Sequence, residues 1–415
     1  MTGSTIDHLV SAMVFLGAIL LFISLFNQTI QTAVLYQQHR YLATKCSDLL
    51  DNMMLSPGIP DYWGTSNCTP YGFGLQDPLV RQSPMFSQYK LSPFSLMRLQ
   101  SLTGTPFTYP RTGVTYSNLS TGFGNFLFVP YTIAINYSTA SRLLGINGTF
   151  GFKLSVQPIV TVSIEETRAS SPLTLNVKVM GAGFPLANAE VSYCFLKVND
   201  KGGQKNPSYT SSFGTTRTNA AGVAVVSFQN VAADNAYAFI AYAHISGLVG
   251  TGYYQRRSGY KEYVLPLIDS FEDRRVLLVH SYNVHDYGPP ESSVFFNATF
   301  VLLTDDFKLR EMYMEDSVGK LGKVVYGQGT DKQWANITIP TYNPGILIVT
   351  YQSNNEYGAV LMPWGLSAMS FPIVFGEDSS GKEWVATDIR QVIVGNIAYQ
   401  AKLELWSLRG YQVVG

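Results

Sequence analysis

Charge is scarce in this 415-residue chain, where Asp, Glu, Lys and Arg together make up 13% of residues, about half the ~25% of an average globular protein. The 28 basic and 28 acidic residues cancel, so neither sign is in excess to attract nucleic acid or an anionic surface, and no nucleic-acid partner is expected. Three cysteines are too few for a disulfide scaffold. Of the five histidines, His280 and His285 in HSYNVHD stand five residues apart, which on a strand sets them on opposite faces with no further ligand close in sequence. No G-x-S-x-G occurs, and TGFG, MGAG and KGGQ lack the strand–turn–helix setting of a phosphate loop. The adjacent carboxylates Glu165 and Glu166 diverge on a strand and are expected in solvent, as are Asp305 with Asp306 and Glu315 with Asp316. No enzyme, metal or cofactor is therefore expected.

Lys and Arg are also missing from the first 39 residues, and there the informative feature begins. Leu9 to Phe26 read LVSAMVFLGAILLFISLF, eighteen residues without one charged side chain, long enough to cross a hydrocarbon core of roughly 30 Å as a helix. A cleaved secretory leader fits less well, because the basic n-region and a small-x-small cleavage site are both absent. Apolar residues continue at three- and four-residue spacing through Ile30, Val34, Tyr41, Leu42, Cys46, Leu49, Leu50 and Met53, the period of an amphipathic helix. No Pro or Gly interrupts the stretch between Gly17 and Pro57. One helix from about Thr5 to Met54 is expected, stopped by Ser56-Pro57-Gly58 and on the order of 75 Å long.

Beyond it the period changes. Residues 59–125 are rich in turns, with a brief helical pattern in SPFSLMRLQSL, and alternating strands begin at Asn125. The 24 Phe, 26 Tyr and 5 Trp are expected to fill cores, with a glycan-binding face as the alternative.

The layout of a long apolar helix followed by a β-rich body resembles archaeal type IV pilin-like surface proteins. The resemblance covers roughly residues 1–165 and is carried by GSTIDHLVSAMVFLGAILLF, LLDNMMLSPGIPDYWG and LGINGTFGFKLSVQP. It implies prepilin-peptidase processing after Gly3, Ser4 as the new N-terminus, and Asp7 as the acidic residue that positions a subunit during assembly. The chain departs from the family pattern in carrying Thr2, not Lys or Arg, before Gly3, and in placing the acid at mature position four. Asp7 has a second reading as a helix N-cap at the membrane interface. A second resemblance is to the Ig-like modules of bacterial and archaeal surface proteins, carried by FPLANAEV and TNAAGVAVVSF, and it places one β-sandwich at 166–257. A degenerate copy is expected to follow, with SSVFFNATFVLLTDDFKLREMYME matching its first two strands and QWANITIPTYNPGILIVTYQSNNEYGAVLMPW matching the rest.

The expected organisation is a helix at 1–58, a pilin-like head at 59–165, and tandem β-sandwiches at 166–257 and 258–415. The last strands either complete the second sandwich or return to pair with YVLPLI and RRVLLVHSY. Asn27, Asn67, Asn118, Asn136, Asn147, Asn297 and Asn336 each open an N-glycosylation sequon. Cys46 and Cys68 either form a bridge closing a loop of about twenty residues or remain two buried thiols, and Cys194 is expected in a core. The functional expectation is a structural subunit, minor or at the tip, of a pilus-like filament, with the C-terminal bulk outside the cell. It would assemble with copies of itself or with other pilin-like subunits, and surface glycans are candidate ligands. The alternatives are a singly anchored surface adhesin or envelope protein that does not polymerise, and a surface enzyme.

Overall fold

The computed structural model describes residues 2–408 other than 67, 83–88, 100–102, 111, 121–125, 131–132, 203–204, 260–261, 282–292, 305, 315–319, 326–333, 355, 365–371 and 396. The fold is mainly β with one long N-terminal helix. That helix, α1, runs unbroken over Thr2–Leu55 and ends where Ser56-Pro57-Gly58 was expected to stop it. At 1.5 Å per residue its 54 residues reach about 80 Å. Its end is anchored by Trp63, fully buried, whose indole N–H donates to the carbonyls of Pro57 (2.9 Å) and Gly74 (3.0 Å).

A five-stranded head sheet covers the last third of α1. Its order is Lys90–Leu91, Ala386–Val394, Ile397–Ser407, Phe150–Pro158, Ile373–Gly376. Three of the five strands therefore come from the C-terminal tail. The tail completes neither the second sandwich nor a pairing with 263–268, and the head is not the continuous segment 59–165. Two short helices close the remaining sides. In α2 (Pro93–Met97) Ser92 is the N-cap and accepts from Ser95 N, and in α3 (Tyr137–Leu143) Asn136 Oδ1 accepts from Thr139 N at 2.8 Å.

The remaining strands form four sheets stacked face to face. The first contains Val223–Phe228, Leu173–Gly181 and Val160–Arg168. The second runs Ser208–Arg217, Glu190–Asn199, Tyr237–Ile245, Leu248–Arg256. The third runs Leu309–Met312, Ser293–Leu303, Gly345–Ser353, Glu356–Trp364, with Lys320–Val325 also on Ser293–Leu303. The fourth runs Trp334–Thr338, Arg275–His280, Val264–Ser270, Phe126–Pro130, Thr115–Ser120, Thr103–Thr108. Burial follows position in the stack. Leu173–Gly181 in an outer sheet mostly alternates buried and less buried residues, as a strand with one covered face must. Gly345–Ser353 is buried at every position, because both faces of its sheet are covered.

The two middle sheets pack directly on each other. Leu196, Ile240 and Cys194 on one side meet Ile346, Ile348 and Leu361 on the other. The two sandwiches are therefore fused through a third core and are not beads in tandem.

They also share one topology. In the first sandwich, Glu190–Asn199 pairs with the first strand of the hairpin 237–256, while Val223–Phe228 crosses to pair with Leu173–Gly181. In the second, Ser293–Leu303 pairs with the first strand of the hairpin 345–364, while Trp334–Thr338 crosses to pair with Arg275–His280. The repeat is present at this level, with its front strand at 275–280. The segment 293–303 thus corresponds to the second strand of the first copy, one place later than the sequence pattern implied.

The recurring strings of the first sandwich meet in space. Thr218 Oγ1 accepts from Ala189 N (2.9 Å) and donates to Leu186 O (2.6 Å), tying TN to PLANA. Asn219 Oδ1 accepts from Ala221 N (2.9 Å) and Val223 N (3.1 Å). Gly222 sits at φ +70°, and a Cβ there would lie 2.7 Å from Val179 O, so only glycine fits.

Candidate functional site

The long helix falls into three zones. From Ile6 to Phe26 its apolar side chains are exposed, with Leu20 at 67%, and α1 is the one described helix long and apolar enough to cross a membrane. It is a candidate membrane anchor or signal sequence. From Asn27 to Tyr41 the helix is still largely uncovered, with Ile30, Val34, Tyr36 and Tyr41 exposed. In this zone Thr29 and Thr32 turn their hydroxyls back onto the carbonyls of Leu25 (2.9 Å) and Gln28 (2.8 Å), so neither hydroxyl needs a partner from outside. From Leu42 onward Leu42, Cys46, Leu49, Leu50, Met53 and Met54 enter the head core against Leu403, Leu405 and Val392. Each such Leu or Met stabilises the docked helix by about 1.5–3 kcal/mol. The apolar stripe read from sequence is thus one continuous pattern with two fates.

An ion-pair clamp flanks the docked zone. Arg390, on Ala386–Val394, donates through Nε to Asp51 (2.9 Å), through Nη2 to Ser47 (2.9 Å), and through Nη1 to Asp388 (2.7 Å). Tyr89 adds its hydroxyl to Asp51 at 3.2 Å. The hydrogen bond to Asp51 is the largest influence on Arg390 and holds its guanidinium charged more firmly than usual. Arg98 organises the loop after the helix. Its guanidinium donates to the carbonyls of Ile133 (2.8 Å), Ser66 (3.0 Å), Cys68 (2.8 Å) and Trp63, and lies over the Trp63 ring. No sequence motif announced either arginine, because their partners are distant in the chain.

Gly3 and Ser4 lie within α1, as does Asp7, which is exposed and not at a cap. The N-cap reading of Asp7 is therefore corrected. The Cys46–Cys68 bridge is absent. Cys46 is fully buried and its thiol reaches the carbonyls of Leu403 (3.5 Å) and Ala386 (3.6 Å), while Cys68 Sγ lies 2.9 Å from Ser66 Oγ. Burial, with the Asp388 carboxylate behind it, pushes the Cys46 thiol up to about 12. Cys194 is buried between the two middle sheets, as expected.

The sequons separate by environment. Asn297 is 4% exposed, its Nδ2 faces Pro207 O (3.4 Å), and its strand is flanked by two others. A glycan has no space there, which removes this candidate. The signal was its apolar context, FFNATF. Asn136 is exposed and caps α3, Asn147 is exposed in a turn, and Asn27 is exposed on α1. Asn118 lies on Thr115–Ser120, and Asn67 falls outside the described residues. Asn336 is exposed on Trp334–Thr338 and borders a cleft of about 640 Å³.

Among the described residues no group of His, Cys, Asp or Glu is placed to hold a metal. His280 is buried, while His285 and Asp286 fall outside the described residues. Glu166 is not the solvated residue expected. It pairs with Arg256 at 3.2 Å and receives the Tyr237 hydroxyl, with both charged side chains about 15% exposed. Asp305, Glu315 and Asp316 fall outside the described residues.

No protein-family profile matches the sequence, and no curated protein does. Among solved structures the chain is similar to the BSP domain of a biofilm associated protein, at 12% identity over 50% of this chain and 29% of that one, with a TM-score of 0.16. It is also similar to native E. coli alpha-2-macroglobulin (10% identity, 67% of this chain, 19% of that one, TM-score 0.20) and to red sea bream transglutaminase (11%, 61%, 37%, 0.17). The chain spans less than two fifths of each matched structure, and at these scores the likenesses carry no functional conclusion.

Proposed function

We propose that this chain is a structural subunit, minor or at the tip, of a type IV pilin-like surface filament, held by α1 with its β body outside the cell. One observation carries the proposal: the uncovered apolar surface of α1 is longer than a membrane requires. Eighteen residues span about 27 Å at 1.5 Å per residue, yet exposed Ile30, Val34 and Tyr41 extend the stripe some 20 Å further, up to where the head takes over. Apolar helix surface outside lipid favours a partner, and helices of neighbouring subunits supply one of matching length. Gly3, Ser4 and Asp7 are the residues to which the resemblance assigns processing and positioning, with Thr2 and the spacing of Asp7 departing from the family pattern.

The test uses the full chain in its host. Val34→Cys is expected to give bismaleimide-linked ladders in sheared surface material, and Asp7→Ala to reduce incorporation while leaving membrane insertion intact. Monomers alone in both membranes and sheared material would refute assembly and leave a singly anchored surface protein. Protection of the β body from protease added to intact cells would refute its outside placement.

A further inference from the structure

We infer that Asn336 is a glycan attachment site whose sugar chain is held by the protein, with its first residue stacked on Trp334. The inference rests on the outside placement of the β body. Among the described residues Trp334–Thr338 is the terminal strand of the fourth sheet, paired on one side with Arg275–His280. Alternation along it sends Ile337 into the core and leaves Trp334, Asn336 and Thr338 exposed on one face. The sequon asparagine, its threonine and an indole therefore point the same way, with Trp334 and Asn336 roughly 6.6 Å apart along the strand.

Trp334 is 36% exposed. A pyranose presents a face of C–H groups that suits the negative face of an aromatic ring. Three of the other sequons differ in setting. Asn147 sits in an exposed turn, Asn136 spends its side-chain oxygen on the α3 cap, and Asn297 is buried.

The test is peptide mass spectrometry of the full chain from its glycosylating host, with melting of wild type, Trp334→Ala, Asn336→Gln and the double variant. Asn336 is expected to carry glycan, and Trp334→Ala to lower the melting temperature by about 2–4 °C more in the glycosylated protein than on the Asn336→Gln background. Glycan on Asn147 with none on Asn336 would overturn the inference while leaving the outside placement standing. A glycan on Asn336 with additive effects of the two substitutions would overturn the stacking. Protease protection of the β body on intact cells would instead remove the premise.

Discussion

Leucine-to-alanine substitution at two places on α1 separates the docked zone from the uncovered one. Leu50 is fully buried in the head core beside Leu49 and Met53, whereas Leu20 is 67% exposed within the protein. The same three-carbon truncation should therefore have very different consequences. At Leu50 it removes buried methyl groups and leaves a cavity, a change that costs about 2.7–5.0 kcal/mol in comparable cores. At Leu20 it removes nothing the head touches, and alanine is an equally good helix former, so head stability should stay within about 0.5 kcal/mol. Hydrogen exchange of the full chain in detergent, read on peptides covering residues 42–54, reports undocking of the helix from the sheet. Exchange there should accelerate roughly a hundred-fold to a few thousand-fold in Leu50→Ala and stay at the wild-type rate in Leu20→Ala. Equal exchange in the two variants would mean that the last turns of α1 are not held by the head, and the three-zone division would fail.

Gly222→Ala should destabilise the first sandwich by about 2–4 kcal/mol, from a positive φ and a forced approach to Val179 O. Gly247→Ala, at φ +82° with open space around it, should cost about 1 kcal/mol, and equal losses on urea denaturation would refute the steric account. Burial works against the Asp388 charge, but hydrogen bonds from Ser47 and Arg390 outweigh it and hold its carboxyl below the usual value. Its share of the clamp is therefore present above the unfolded value of about 3.9 and is lost as pH falls through the lower folded value. Exchange in 42–54 should rise in that window, and an unchanged pH profile in Arg390→Met would count against this clamp. Alkylation in denaturant without reductant should add three groups to the intact mass, and a protein short of two would restore the Cys46–Cys68 bridge.

Local patterns were legible where local chemistry decides. The apolar run, the stop at Ser56-Pro57-Gly58 and the TN and PLANA turns depend on residues close in sequence, and each stands where it was read. The head was illegible because Phe150–Pro158 takes Ile397–Ser407 as its neighbour across more than two hundred residues, and two alternating strands carry no address for each other. Face-to-face fusion of the sandwiches did leave a trace: AYAFIAYA and GILIVTY are continuous apolar runs, not alternating ones, as strands covered on both faces must be. The candidate sites divide the same way. Burial of Asn297 was foreshadowed by FFNATF, while Arg390 meeting Asp51 depends wholly on how the tail returns.

That return has a mechanical consequence. The chain crosses between head and stack four times: after α2, before α3, at Ile159, and between Trp364 and Ile373. A body hung on one linker swivels freely, as flexible tethers do. A body joined by four crossings resists bending and twisting about any one of them. A load on any of the four sheets would therefore reach the head sheet by more than one covalent path, and its strands 386–394 and 397–407 pack on α1. A load applied to the β body would reach the helix shared among several covalent routes.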